Sequence, residues 1–128
     1  MKELQIPLNN KTWFKLESGF TTKWLKTLKD KGYYVDKISD WSIWTKKVDC
    51  YIRTDISSYC CEIKVIDKDI FQVSRLRPNQ RKGLRLWTNL WWKAVVCVYS
   101  KEFNKYKLIP FEVLQDLDTD SSVKLKFD

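Results

Sequence analysis

The stretch YCCEIKVID, residues 59–67, is the part of the sequence that decides the fold. Its alternation is typical of a β-strand, with Glu62 and Lys64 on one face and Cys61 and Ile63 on the other. A carboxylate and an ammonium on one face of a strand have two explanations. They can form an ion pair on the protein surface, or they can belong to a metal-dependent active site.

Length and composition limit the class of protein. The 128 residues suit a single domain, 1–128, that is large enough to bury a hydrophobic core. Seven Trp against three Gly and three Pro argue against a disordered chain. No apolar run approaches the roughly 20 residues of a membrane span, and residues 1–11 lack the apolar segment of a signal peptide. We therefore expect a cytoplasmic protein that has no membrane partner.

Cysteine usage indicates structural thiols. The four cysteines lie in apolar, strand-like runs, and adjacent Cys60 and Cys61 point to opposite faces of one strand. The paired CxxC spacing of a zinc site is missing, and the chain has no His. We therefore predict buried free thiols at Cys50, Cys60, Cys61 and Cys97, in preference to disulfides or zinc ligands.

The net charge of +8 is concentrated in one segment. Residues 72–107 carry nine basic residues and one acidic residue, whereas residues 108–128 carry two and five. A basic segment of this density attracts a polyanion, and nucleic acid is the obvious one for a cytoplasmic protein. A merely solubilising surface is the alternative that charge alone leaves open.

Hydrophobic periodicity predicts two main helices. Leu16, Phe20, Trp24 and Leu28 recur every four residues, which predicts a helix from about 15 to 31 that ends at Gly32. A second helix is predicted from Pro78, which suits the first helical position, to about Trp91.

The strands fill the intervals between these helices. Residues 32–44 are predicted as a strand with irregular edges, and residues 48–53 and 58–66 as a hairpin. Two more strands are predicted at 93–100 and 105–111, and a short helix at 112–117. The tail, 121–127, is predicted to be either an edge strand or a frayed end. The order is helix, three strands, helix, two strands, helix, which predicts an α/β fold around a mixed sheet.

Two polar residues fall on the apolar faces of the predicted helices. At about 100° per residue, Glu17 lies inside the stripe of the first helix, and Gln80 lies with Leu84 and Trp87 on the inward face of the second. The basic neighbours of Gln80 are expected to point away from that face: Arg81, Lys82 and Arg85. An inward carboxylate must meet a cation, a metal ion or water. The plain alternatives are that Glu17 lies at the edge of its helix and that Gln80 caps a loop.

The predicted hairpin assembles a candidate active site. If its strands pair, Asp49 lies close to Glu62, with Lys64 one step further along. Two neighbouring carboxylates repel each other unless a cation bridges them, and Mg²⁺ prefers oxygen ligands. Lys64 would then orient or deprotonate the attacking water. These groups together suit the hydrolysis of a phosphodiester bond.

Asp49, separated by twelve residues from Glu62-Ile63-Lys64, resembles the motif of the PD-(D/E)xK nuclease superfamily. The order of elements is similar to the core of that superfamily. Residues 77–84, RPNQRKGL, resemble the Gln-bearing helix of some branches, and residues 93–114 resemble the end of the small Holliday-junction resolvases. The resemblance covers roughly residues 15–114, and Val48 stands where the motif name has Pro.

The resemblance implies a restriction-endonuclease-like core with a central mixed five-stranded sheet flanked by helices. It implies that Asp49, Glu62 and the Ile63 carbonyl bind Mg²⁺, for which Mn²⁺ can substitute, and that Lys64 activates water. Glu17 would support this metal or a second one, and Gln80 would orient the site or touch a phosphate. The residues expected to hold DNA are Arg75, Arg77, Arg81, Lys82 and Arg85.

Three functions are compatible with these features. The first is a metal-dependent endonuclease that cuts branched DNA as a homodimer, since resolving a junction requires two symmetric cuts. The second is a restriction-type or repair nuclease of the same fold, and the third is a DNA-binding module without catalysis. We expect Leu86, Leu90 and Trp92 to supply apolar surface for the dimer, with Trp87 and Trp91 directed to the core. The pairs Tyr33-Tyr34 and Trp91-Trp92 could instead stack on unpaired bases.

Overall fold

The computed structural model describes residues 1–6, 14, 16–38 and 48–127. The predicted order of helix, three strands, helix, two strands and helix is confirmed, and two short strands are added to it. The elements are a 3-10 turn at Lys2–Leu4, then α1 (Glu17–Asp30), β1 (Tyr34–Lys37), β2 (Cys50–Arg53), β3 (Ser58–Ile66), β4 (Ile70–Gln72), a 3-10 turn at Val73–Arg75, α2 (Pro78–Asn89), β5 (Lys93–Ser100), β6 (Lys105–Pro110), α3 (Phe111–Leu114) and β7 (Ser122–Lys124).

The central sheet has five strands in the order β1-β2-β3-β5-β6. Strands β3 and β5 are parallel, and every other neighbouring pair in this sheet is antiparallel. A parallel pair needs a crossover connection, which here contains α2. The predicted α/β fold, a restriction-endonuclease-like core with a mixed five-stranded sheet flanked by helices, is confirmed.

Strand β3 lies in the middle of the sheet and separates two cores. Tyr59, Cys61 and Ile63 pack with α1 on one face, while Cys60 and Ile66 pack with Leu84 of α2 on the other. We call these the α1 face and the α2 face. The four cysteines are buried and free, as predicted, and Cys60 and Cys61 lie on opposite faces.

The first turn of α1 extends beyond the core. Phe20, Trp24 and Leu28 are fully buried, as the four-residue spacing predicts. Leu16 is 69% exposed and Glu17 is exposed, so the prediction of an inward-facing Glu17 is wrong. The reason is that a helical stripe gives only the angle around the helix axis and not the point along the helix at which packing begins.

The end of α2 also differs from the prediction. The helix ends at Asn89, and Trp91 has a φ of 70° and is 96% exposed. Trp92 instead contacts Trp87, with ring centroids 5.2 Å apart. The prediction that Trp91 points inward and Trp92 outward is wrong, because the left-handed residue ends the helical periodicity on which it rested.

A second, two-stranded sheet is formed by β4 and β7. The tail is therefore a strand, but its partner is β4 and not an edge of the central sheet. The strand predicted at 32–44 is described only in part, as β1, and residues 39–44 lie outside the described residues. None of the described helices has the length and apolarity that crossing a bilayer requires.

Candidate active site

Glu62 and Lys64 are buried, not paired on the surface. They are 2% and 9% exposed and lie on the α2 face of β3. The explanation of these residues as a surface ion pair is therefore wrong. Burying an ionised side chain costs several kcal/mol unless other groups compensate it, so this pair must meet a compensating charge, a bound ion or a polar network.

Asp49 is held opposite Glu62. The residue precedes β2, and its N–H donates to the Cys61 carbonyl at 3.0 Å, which continues the pairing of β2 with β3 by one residue. Its carboxylate atom Oδ2 accepts a hydrogen bond from the Ile63 N–H at 2.8 Å. The backbone thus fixes the Asp49 side chain beside residues 62 and 63, where the hairpin pattern expects it.

The donor set suits a hard divalent cation. Mg²⁺ is commonly bound by one or two carboxylates and keeps several waters, and Asp49 and Glu62 offer two carboxylates. Within the described part of the chain, no group of three or more His, Cys, Asp or Glu is arranged to hold a metal ion. A two-carboxylate site fits this finding, and the Ile63 carbonyl as a further ligand stays a prediction.

Glu17 and Gln80 lie on the two main helices. Glu17 is the exposed first residue of α1, and its role at the metal stays a prediction. Gln80 caps α2, because its Oε1 accepts a hydrogen bond from the Arg77 N–H at 3.0 Å. This capping contact is the plain alternative for Gln80. A role in orienting the site is not tested by it.

The basic residues divide into exposed and sequestered groups. Arg81 is half-buried, and its Nε and Nη2 atoms are buried without a hydrogen-bond partner. The expectation that Arg81 points away from the core with its neighbours is therefore wrong, because position 81 borders the buried stripe that contains Leu84. The other four residues of the predicted DNA-binding set are exposed at the surface: Arg75, Arg77, Lys82 and Arg85.

The electrostatics of the α2 face keep its thiol neutral. Burial raises the pKa of Cys60 to about 12, and the negative charge of Glu62 contributes to this rise. Cys60 therefore stays protonated at neutral pH, and a protonated thiol is a poor metal ligand. The carboxylates of Asp49 and Glu62 are left as the anionic ligands that this part of the face offers.

An aromatic cluster beside the carboxylates was not predicted. Tyr51 contacts Trp87 and Trp92, with ring centroids 4.8 and 5.5 Å away. Tyr51 pairs with Cys60, which shares its face of β3 with Glu62, because alternate residues of a strand point the same way. That parity is the sequence signal for Tyr51, but no local pattern indicates that Trp92 turns back to meet it.

Comparison with known proteins reports on the fold. No protein-family model and no curated protein sequence matches this chain. Among solved structures, Hjc from the hyperthermophilic archaeon Archaeoglobus fulgidus, described as a Holliday junction resolvase, is similar with a TM-score of 0.67. The match covers 84% of this chain and 87% of Hjc at 12% sequence identity. The chain therefore shares the fold of that solved structure, which agrees with the predicted α/β core.

Proposed function

We propose that this protein is a metal-dependent DNA endonuclease that hydrolyses phosphodiester bonds, with branched DNA as its substrate. One observation carries the proposal: Asp49 is hydrogen-bonded at 2.8 Å to the backbone beside Glu62, and the buried Lys64 lies on the same strand face as Glu62. Two carboxylates and an ammonium are an expensive combination to hold in a largely buried place. A purely structural face of β3 could use apolar residues instead.

Each residue of this group has a definite task in hydrolysis. Asp49 and Glu62 bind the cation, and the Ile63 N–H keeps the Asp49 carboxylate in position. When bound, Mg²⁺ supplies positive charge for the phosphate and lowers the pKa of water, and Mn²⁺ can replace it. Lys64 orients the attacking water or accepts a proton from it. Glu17 supports the metal from the start of α1.

The basic residues hold the DNA backbone. Arg75, Arg77, Lys82 and Arg85 are exposed, and an exposed guanidinium or ammonium suits a phosphate oxygen. Arg81 differs because its Nε and Nη2 are sequestered without a partner. A phosphate placed between α2 and the sheet would satisfy both donors at once. Gln80, one residue earlier, would orient the same strand.

A branched substrate implies a dimer. One metal site cuts one strand, so two symmetric cuts require two copies related by a two-fold axis. The exposed apolar residues Leu86 and Leu90, 46% and 52% exposed, supply surface for this contact. Trp91 takes the place expected for Trp92, since it is 96% exposed. We place the activity in the cytoplasm, where four free thiols stay reduced.

Cleavage of synthetic DNA tests the proposal. A four-way junction and a linear duplex of the same arm sequence are incubated with the protein in Mg²⁺, in Mn²⁺ and in a chelator. We expect metal-dependent cutting of the junction, and Lys64→Ala should lower the rate about 10²- to 10⁴-fold while DNA binding is nearly unchanged. The control is Lys105→Ala, which removes one exposed lysine at the far edge of the sheet.

The other outcomes separate the alternatives. Equal cutting of both substrates identifies a restriction-type or repair nuclease. DNA binding without any cutting identifies a binding module, and cutting by Lys64→Ala at the parent rate would overturn the site. Sedimentation at micromolar concentration, with and without junction DNA, tests the dimer. A strict monomer favours the second function, a restriction-type or repair nuclease, and leaves the proposed metal site unchanged.

A further inference from the structure

A groove lies on the same sheet face as the proposed active site. It has a volume of about 740 Å³ and is lined by residues of β1, β2 and the α2–β5 connection. Tyr51 lines it and pairs with Cys60, which is two residues before Glu62 on the same face of β3. The groove therefore lies on the same face of the sheet as Glu62, about one strand repeat away. The lining residues used below are Tyr34, Asp36, Tyr51, Arg53, Trp87 and Trp92.

Aromatic rings form one wall of this groove. Tyr51, Trp87 and Trp92 meet edge to face, with centroids 4.8 to 5.5 Å apart and interplanar angles of 63° to 68°. Tyr34 lies on the edge strand β1 and is 63% exposed. An exposed ring next to a rigid aromatic cluster is the arrangement on which nucleic-acid bases stack.

The charges of the groove are mixed. Arg53 is exposed and lies opposite Tyr34, and Asp36 is exposed and lies opposite Tyr51. Two exposed carboxylates, Asp36 and Asp55, make the groove a poor binding place for a run of phosphates. A carboxylate is a good acceptor for the amino groups at the edges of bases, and a single arginine is enough for one phosphate.

The Tyr51 hydroxyl adds a hydrogen-bonding group to the groove, because a phenol O–H can donate to a base or a sugar. A groove that combines stacking rings, a phenol, two carboxylates and one arginine matches a nucleotide better than it matches a stretch of DNA backbone.

We propose that this groove binds an unpaired nucleobase of the DNA substrate, a few nucleotides from the bond that is cut. The inference rests on the proposed nuclease function and adds the structural class of the DNA, which must expose at least one unstacked base near the cut. Tyr34 stacks on the base, Arg53 contacts its phosphate, and Asp36 accepts from a base amino group. In a four-way junction the unpaired base comes from the branch point.

Binding measurements with two DNA molecules test this inference. One is a four-way junction with unpaired nucleotides at the branch point, and the other is a blunt duplex of equal length. Both are titrated at one salt concentration and with Mg²⁺, using Lys64→Ala as the parent so that no DNA is cut. Tyr34→Ala should weaken binding of the junction about tenfold, the size expected for losing one stacked base.

Controls separate stacking from charge and from folding. Binding of the duplex should change less than about twofold in Tyr34→Ala, and Tyr34→Trp should keep the junction affinity. Phe103→Ala is the matched control, because Phe103 is another exposed aromatic residue, 40% exposed, in the β5–β6 turn. It should change neither affinity. Thermal unfolding of each variant shows that the fold is retained.

Three results would overturn the inference. Tyr34→Ala with unchanged junction binding removes the stacking role. Equal losses on junction and duplex assign the residue to general backbone binding. A change of oligomeric state in Tyr34→Ala, seen by sedimentation, identifies the groove as a contact between two copies of the chain. Failure of the nuclease proposal looks different, because the unsubstituted protein then cuts no DNA while the preference for unpaired nucleotides remains measurable.

Discussion

The two faces of β3 bury different chemistry in one strand. On the α1 face, Tyr59, Cys61 and Ile63 are fully buried in an apolar core. On the α2 face, Glu62 and Lys64 are buried almost as deeply. Both faces exclude water, but only the α2 face carries charge at a cost that folding alone does not require. This difference is expected if the charged part of the α2 face serves the proposed cleavage, while the apolar parts of both faces serve stability.

The largest expected effect is the loss of cleavage when the α2 face loses a ligand. Asp49→Asn and Glu62→Gln keep the shape of each side chain but remove its negative charge. We expect each to lower the cleavage rate at least about a hundredfold and to weaken Mg²⁺ binding, since Mg²⁺ is held by charged oxygens. Calorimetric titration with Mg²⁺ alone and a cleavage assay measure the two effects.

The matched control is Asp67→Asn. Asp67 is an exposed aspartate that contacts Lys101 at 3.4 Å, and its loss should change neither quantity. Unchanged metal affinity in both Asp49→Asn and Glu62→Gln would contradict the proposed metal site. It would also contradict a functional role for the charged residues of the α2 face.

A core substitution on the α1 face should act on stability instead. Phe20 is fully buried and stacks on Tyr99 with centroids 4.7 Å apart. Phe20→Ala should lower the free energy of unfolding by about 3–5 kcal/mol, measured by urea denaturation. Phe20→Leu, with a smaller loss, keeps the test readable if the alanine variant does not fold. The cleavage rate of the folded fraction should fall far less in Phe20→Ala than in Glu62→Gln. An equal fall would contradict the assignment of stability to one face and function to the other.

Alkaline pH should weaken both faces through their thiols. Burial raises the pKa of Cys60 to about 12 from an ordinary value of 9.0, and burial also raises the pKa of Cys61 on the α1 face. Below pH 9 both thiols are protonated in the folded and in the unfolded chain, so their contribution to stability is fully present there. Above it the unfolded chain ionises first, and stability is lost as the pH approaches 12.

Between pH 8 and 10, the raised pKa of Cys60 alone should lower the free energy of unfolding by about 1 kcal/mol. Urea denaturation at the two pH values measures the loss, and Cys60→Ala should reduce it. The same loss in the parent and in Cys60→Ala would contradict the assignment of the alkaline effect to this thiol.

The smallest effect concerns a single exposed cation of α2. Lys82→Ala should weaken DNA binding severalfold for every DNA shape and lower the slope of affinity against salt by about 1, since one phosphate contact is lost. Titrations at several salt concentrations measure the slope. Lys105→Ala is the control, because it changes the net charge equally at an edge of the sheet. An equal change of DNA affinity in both variants would mean that Lys82 acts through general electrostatic attraction and not through a specific phosphate contact.

Much of the fold follows from the sequence alone. The two-residue alternation of residues 59–66 and the apolar run of 93–100 identify central strands, and the spacing of Phe20, Trp24 and Leu28 identifies α1. These are local patterns, and they fixed the order of elements. The turn of residues 54–57 fixed the hairpin register, which is why Asp49 and Glu62 could be expected side by side.

Tertiary structure decided what local periodicity cannot carry. Whether Glu17 meets the core depends on where the sheet ends, and whether Arg81 is sequestered depends on how closely α2 approaches the sheet. Trp92 joins Tyr51 only because the chain turns at Trp91, with its φ of 70°. The sequence by itself determined the order of the main elements and the pairing of the carboxylates, because hydrogen-bonded register is local. Only the tertiary structure decided burial and the aromatic groove, because both depend on contacts between residues distant in the chain.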